Sequence, residues 1–271
     1  MDLTANHRQV YQRARCYDVA FSYRDVPAEC EALLALAARH LGRAPASVLE
    51  LAAGPARHAR EFARRGLAAT ALDSAPEMLE YASTLAAQEG VALHTACADM
   101  SAFTLPQRFD LAVLLLDSSS YLLDNATVLR HLACVARHLN PDGVYLLEMS
   151  HPRDAFGVGA SHQTHWTTEL DGLRVTMRWG EPDDAFDPVT QIDEVTVSME
   201  WSDAQGSNGR LVERSRQRRF TANEIDALVR ASGEFEIVEW LGALAPPHRF
   251  DSAKAARQMI PVLRAVTRRA L

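Results

Sequence analysis

Apolar and polar positions along the first 150 residues follow two rhythms in turn. Mainly apolar runs at 48–51, 68–72, 91–98 and 109–116 are short enough for strands buried on both faces. Helical spacing separates them, at 29–41, 57–65, 76–89 and 126–138. The alternation predicts a mostly parallel, doubly wound α/β sheet. Ser74 to Glu77 reads as a helix start, with Pro76 in the first turn and an acid at the capping-box position. Asn140 to Gly143 reads as a turn into a fifth strand that ends at Met149.

Beyond Met149 the rhythm shortens to a period of two. Segments 173–179, 191–201 and 209–219 alternate apolar and polar residues between turn-rich stretches, which predicts three antiparallel strands with one wet face. Thr221 and Glu224 form a capping box for a helix reaching about residue 231, and 235–240 returns to strand character. The stretch 252–269 reads as either a helix or a last strand, because Pro261 interrupts it.

The first run leads into Ala52, Ala53, Gly54, Pro55 and Ala56, a turn of small residues, and then a helix beginning near Arg57. Such a turn lets the backbone lie close to a ligand at the carboxyl end of a strand, and Asp73 stands at the tip of the next run. The plain alternative is a strand–turn–helix packing unit. Asp99 and Met100 close the third run, and Asp117, Ser118, Ser119, Ser120 and Tyr121 follow the fourth.

The order and spacing of these elements over about 45–150 resemble the class I S-adenosylmethionine (SAM) dependent methyltransferases. The resemblance implies a Rossmann-like, mostly parallel seven-stranded sheet and SAM as cofactor. It implies that Glu50, Ala52 and Gly54 belong to the SAM loop, that Asp73 accepts from the ribose hydroxyls, and that Ser74 and Met78 sit in the same segment. Asp99 and Met100 fall beside the adenine, Leu115 packs on its other side together with Leu116, and Ser118 lies near by. The usual loop has glycines where this chain has Ala52 and Ala56, so the loop is expected to keep ordinary backbone angles or to shift slightly. The antiparallel segment is similar to the lid of small-molecule methyltransferases related to the glycine and amino-sugar N-methyltransferases. A single domain follows, with a helical cap at 1–45, a SAM-binding core at 46–150, a lid and substrate insertion at 151–219, and 220–271 completing the core.

Composition narrows the partners. The chain has 271 residues and a formal charge of −7, which argues against general nucleic-acid binding. The arginine clusters at 214–219 and 264–269 read as solvated faces. Four cysteines, widely spaced, give neither a disulfide framework nor zinc-ligand spacing. His162 and His165 fall in a loop-like stretch without a metal motif, so no metal is expected. The first twenty residues carry neither a signal peptide nor a membrane span, which points to a cytoplasmic protein. The expected partner is a small-molecule substrate, as in secondary metabolism, with no nucleic acid and no membrane; a homodimer stays open.

Methyl transfer from a sulfonium asks mainly for alignment and exclusion of water. The aromatic leader, with Tyr11, Tyr17, Phe21 and Tyr23, or lid rings such as Trp166 and Trp179, offers cation–π contact to that charge. Tyr17 and Tyr23 are therefore candidate catalytic residues, the alternative being that the rings only staple a helix. If a base is needed, His151 after the fifth strand and Asp117 are the candidates. Three functions fit: methyl transfer to an amine or hydroxyl of a small metabolite; ring closure of SAM to a cyclic amino acid of the azetidine-2-carboxylate type with release of methylthioadenosine; and SAM binding without turnover.

Overall fold

The computed structural model describes residues 9–157 and 163–266. Two leader helices, α1 (Ala14–Ala20) and α2 (Val26–Leu41), precede a run of alternating elements. These are β1 (Ser47–Leu51), α3 (Arg57–Arg64), β2 (Ala68–Asp73), α4 (Pro76–Glu89), β3 (Leu93–Cys97), β4 (Phe109–Leu114), α5 (Asn125–Arg137) and β5 (Leu139–Leu147). The short β6 (Met149–Ser150) and α6 (Pro152–Phe156) lead to β7 (Thr164–Leu170), β8 (Leu173–Trp179), β9 (Phe186–Asp187), β10 (Ile192–Asp203) and β11 (Asn208–Arg218). The chain closes with α7 (Ala222–Ser232), β12 (Phe235–Ala243), β13 (His248–Arg249) and β14 (Gln258–Ala265).

The main sheet runs β13-β12-β14-β5-β4-β1-β2-β3, with β6 beside β14. Pairs among β1 to β5 are parallel, and β14 enters antiparallel between β5 and β12. Its seven long strands match the expected sheet; β6 and β13 are two-residue additions. Strand parity builds two cores, because successive side chains point to opposite faces. Val48, Leu111, Val113, Val144 and Leu146 pack against Leu33 of α2, Phe62 of α3 and Ala82 of α4. Leu49, Leu51, Ala112, Leu114 and Leu147 pack against Leu132 of α5 and Leu228 of α7.

Pro261 lies within a strand after all. Strand β5 contacts β14 at Val262 to Arg264 and β6 contacts it at Gln258 and Met259, so the missing N–H of Pro261 falls at the break between these partners. The helix expected at 76–89 is present with those bounds, but the capping box read at Ser74 and Glu77 is not: Ala75 is the N-cap, and it makes no side-chain cap. Asp73 serves in place of Ser74: its carboxylate accepts from the Ala75 N–H at 2.8 Å. The capping box of Thr221 and Glu224 is present.

The lid is larger than three strands. Its sheet is ordered β11-β10-β8-β7 with β9 on β10, all antiparallel. Strand β7 escaped the sequence reading because its inward positions are Trp166 and Thr168 among polar neighbours, which blurs the alternation. His165 therefore sits in a strand, and His162 lies outside the described residues. The lid's apolar face does not rest on the parallel sheet. Val175, Met177, Val195, Val197 and Met199 pack on Val10, Cys16, Val19, Ala20 and Phe21 of the leader. The Trp166 indole N–H donates to the Ala20 carbonyl at 2.7 Å, and the Thr168 hydroxyl donates to that of Val19 at 2.7 Å. Leader and lid thus form one packed body over the carboxyl ends of the strands. No helix among the described residues is long and apolar enough to cross a membrane.

Candidate active site

Strand β1 delivers Glu50 and then turns sharply. Ala52 (φ 47°), Gly54 (φ 52°) and Ala56 (φ 54°) all adopt the left-handed region. The expectation of ordinary angles at the two alanines is thereby overturned: the turn keeps the shape that glycine would give, at a cost of about 1–2 kcal/mol for each L-residue held there. The turn is held by the Ala53 N–H donating to the Leu72 carbonyl at 3.0 Å and the Gly54 N–H donating to Asp73 at 2.7 Å.

Glu50 faces the first turn of α3. Its carboxylate accepts from the Ala59 N–H at 2.7 Å and lies 3.5 Å from Nδ1 of His58. Nε2 of His58 meets Glu29 at 2.8 Å. Burial disfavours the charged imidazole, but the hydrogen bonds from these two carboxylates outweigh it and raise the His58 pKa to about 9. Glu29 is in turn bonded by Arg24 at 2.9 and 3.0 Å, and Arg24 reaches Glu148 at the end of β5 at 2.7 and 2.9 Å. A buried ionic chain, Glu50–His58–Glu29–Arg24–Glu148, therefore ties the loop to the leader and to the central sheet.

Among the described residues, Asp73 at the tip of β2 is held by backbone N–H groups. Burial raises its pKa, while the N–H groups of Ala75, Gly54 and Ser74 pull the other way. Half-buried, and with no cation beside it among the described residues, this carboxylate is suited to hydroxyl donors. On β3's exit, one oxygen of Asp99 accepts from the N–H and hydroxyl of Ser101 at 2.6 and 2.7 Å. The next residue is pinned from below: His131 Nδ1 donates to the Met100 carbonyl at 2.8 Å, and its Nε2 accepts from the Tyr145 hydroxyl at 2.6 Å. Burial lowers the His131 pKa to about 4, so the ring stays neutral in this role.

These groups converge on a cavity of about 460 Å³ lined by Glu50, Ala52, Gly54, Asp73, Ser74, Asp99, Met100, Leu115 and Ser118. Met78 is the one predicted cofactor residue outside it: its side chain is fully buried beneath the leader with Ala14 and Ala75. Tyr11, Tyr17 and Phe21 form the leader's wall, with the Tyr17 and Phe21 rings 4.6 Å apart and the hydroxyls of Tyr11 and Tyr121 2.7 Å apart. Donor chemistry and shape suit SAM: carboxylates at two successive strand tips for hydroxyl and amine hydrogens, apolar Met100 and Leu115 for a purine, and electron-rich rings for a sulfonium.

A second cavity of about 980 Å³ adjoins the first and shares Tyr17, Leu116, Ser118 and Tyr121 with it. Lid and leader rings Tyr23, Trp166 and Trp179 line it, as do Asp117, Glu148, Ser150, Gln217 and Arg219. Asp117 accepts from the Ser150 N–H at 3.0 Å and hydroxyl at 2.6 Å, and from Arg219 at 3.2 Å. His151 is positioned differently from a base. It caps α6, its Nδ1 accepting from the Arg153 N–H at 3.1 Å, and its Nε2 faces the Asp251 carbonyl at 3.0 Å, so both ring nitrogens are engaged by backbone behind the cavity wall.

Residue spacing carries no signal for Arg24, Glu29, His58 or Glu148, whose partners lie far apart in the chain. The arginine cluster at 214–219 splits rather than forming one solvated face. Arg214 and Arg216 are exposed, whereas Arg218 and Arg219 are buried, Arg219 against Asp193 at 2.9 Å and Arg218 against Glu224.

Residues 48–143 match the methyltransferase domain family. No curated protein matches the chain. Among solved structures, a SAM-dependent methyltransferase from Clostridium acetobutylicum is 18% identical, with 93% of this chain and 96% of that one covered and a TM-score of 0.75. A sugar N-methyltransferase from a Streptoalloteichus species is 22% identical over 92% of both chains with a TM-score of 0.71. An amino pentose methyltransferase from Micromonospora echinaspora, solved with SAM bound, is 22% identical, with 95% and 97% covered and a TM-score of 0.66. Over residues 48–143 the chain is thus similar to the methyltransferase domain family, and as a whole it has the fold of the SAM-dependent methyltransferases.

Proposed function

We propose that the protein is a SAM-dependent methyltransferase acting on an amine or hydroxyl of a small metabolite. The observation that carries this reading is the pair of contiguous cavities that meet at Tyr17, Leu116 and Tyr121, one fitted for an adenosine and the other lined by lid and leader rings. SAM, when bound, supplies an activated methyl group on a sulfonium. The chain's own residues then bind and exclude water. Asp73 accepts from the ribose hydroxyls, the free oxygen of Asp99 accepts from the adenine amine, and Met100 and Leu115 sandwich the ring. Tyr11, Tyr17 and Phe21 cover the charged end, and Tyr23 stands at the acceptor's entrance. The sugar and amino pentose methyltransferases of like fold support a small, polar acceptor.

The ring-closing reading of SAM draws no support from the loop, because Ala52 and Ala56 keep the left-handed angles that glycine would adopt. Incubation of the protein with SAM, with and without an extract of small polar metabolites, followed by chromatography, tests the proposal. The expected product is adenosylhomocysteine, formed only with acceptor. Methylthioadenosine without acceptor supports ring closure instead, and failure to bind SAM by calorimetry overturns both.

A further inference from the structure

The acceptor cavity has a distinct charge. Five carboxylates line it against three guanidinium groups. Two of those three are spoken for: Arg24 is bonded to both Glu29 and Glu148, and Arg219 to both Asp117 and Asp193. The third, Arg257, is exposed. What remains for a ligand is negative charge beside aromatic faces, the pairing that attracts a cation.

Within this cavity Asp117 stands apart. It follows Leu116 in the left-handed region, φ 55° and 56°, two successive strained residues at the tip of β4. Strain of this kind persists where the surrounding structure imposes it, and it clusters at functional sites. Here it accompanies a carboxylate that lines the second cavity. Of the two aspartates that hold Arg219, Asp193 has a side chain only 2% exposed, whereas that of Asp117 is 25% exposed. Three bonds from Ser150 and Arg219 occupy part of the carboxylate's capacity, two of them on one oxygen, so the other oxygen can still accept.

We propose that the acceptor is an amine, received as its ammonium ion against the aromatic wall, and that Asp117 takes the proton its nitrogen sheds before attack. This rests on the methyl-transfer reading above. The proton passes from the ammonium to the Asp117 carboxylate, and the freed lone pair forms a bond to the methyl carbon. The carbon–sulfur bond breaks with its electron pair left on sulfur, giving the methylated ammonium and neutral adenosylhomocysteine. Burial raises the carboxyl's affinity for that proton and Glu148 adds to it, while Arg219 and the Ser150 hydroxyl and N–H oppose. Tyr121 also faces it, from the 3-10 turn after β4.

Two shape-matched pairs serve as probes: cyclohexylamine with cyclohexanol, and glucosamine with glucose. Binding is measured by saturation-transfer NMR on protein saturated with adenosylhomocysteine, and transfer is measured from methyl-labelled SAM, for wild type, Asp117→Asn and Asp117→Glu. The expected result is that an amine binds and is methylated in preference to its alcohol. Asp117→Asn, with adenosylhomocysteine affinity unchanged as the check on folding, is expected to lose roughly a hundredfold in transfer near neutral pH. That loss is recovered as rising pH supplies free amine, and Asp117→Glu retains part of the rate. An alcohol that binds as well as its amine, failure of both amines to bind, or an Asn variant with unchanged rate and pH profile overturns the inference. Loss of adenosylhomocysteine binding in the wild type instead overturns the methyltransferase reading on which it rests.

Discussion

Two buried histidines should give this protein a stability maximum near pH 6.5, and each limb can be removed separately. His58 has an ordinary value of 6.5 and a folded value of about 9, because Glu29 and Glu50 hold its charged form against the penalty of burial. A group raised on folding contributes fully below its unfolded value and loses that contribution as pH climbs to its folded one. The gap corresponds to ~3 kcal/mol, lost between pH 6.5 and about 9. His131 has the opposite sign. Its pKa is lowered by burial to about 4, so its contribution is present above 6.5 and a similar ~3 kcal/mol is lost as pH falls toward 4. Urea unfolding followed by circular dichroism across this range, at constant m-value, is expected to trace both limbs. In His58→Gln the alkaline limb should flatten, with the variant ~3 kcal/mol less stable than wild type at pH 6.5 and nearly equal to it above pH 9. SAM affinity should follow the same limb in the wild type, because the His58 ring stands behind the turn at Gly54. An alkaline limb of undiminished height in His58→Gln would refute the reasoning, since the charge on that ring would then not be what holds Glu29 and Glu50 together.

Other expectations can be checked with single variants of the same protein. Asp73→Asn should weaken SAM by ~1.5–3 kcal/mol, read by calorimetry, and should also lower the melting temperature, since an amide oxygen cannot keep both the Gly54 and Ala75 N–H groups; unchanged affinity removes the ribose assignment. Ala52→Gly should stabilise the fold by about 0.5 kcal/mol, because relief of a left-handed alanine (~1–2 kcal/mol) exceeds the entropy that glycine adds to the unfolded chain (~0.5–1 kcal/mol). Ala56→Gly should fall below it by up to ~0.8 kcal/mol, since its methyl is fully buried, and the reverse order in thermal melts would contradict this. Deleting residues 180–210 should abolish SAM binding as well as transfer, because it strips away Val195, Val197 and Met199 on which the leader lies; retained affinity would show that the leader stands without the lid.

The readable parts of the chain were those with local causes. The parallel sheet, the helix from Pro76 to Glu89, the capping box at Thr221 and the acids at the strand tips all follow from side-chain periodicity and short-range hydrogen bonding, which act between residues a few positions apart. Nine of the ten expected cofactor residues line one cavity because strand ends in such a sheet converge by topology. Met78 missed it by pointing from its helix into the core.

Sequence alone determined the architecture and the kind of ligand at the first cavity. Tertiary structure decided the rest. The left-handed angles at Ala52 and Ala56 are imposed by bonds to β2 and Asp73, against the preference of alanine itself. The second ring nitrogen of His151 was taken up, and Asp117 gained its guanidinium partner, only when Asp251 and Arg219 arrived from a hundred residues away or more. The chain from Glu50 to Glu148 joins groups separated by up to 124 positions, and the charge state of His58 exists only inside it. Charge interactions and desolvation depend on distance in space and on excluded water, and neither quantity is written in the spacing of residues along a chain.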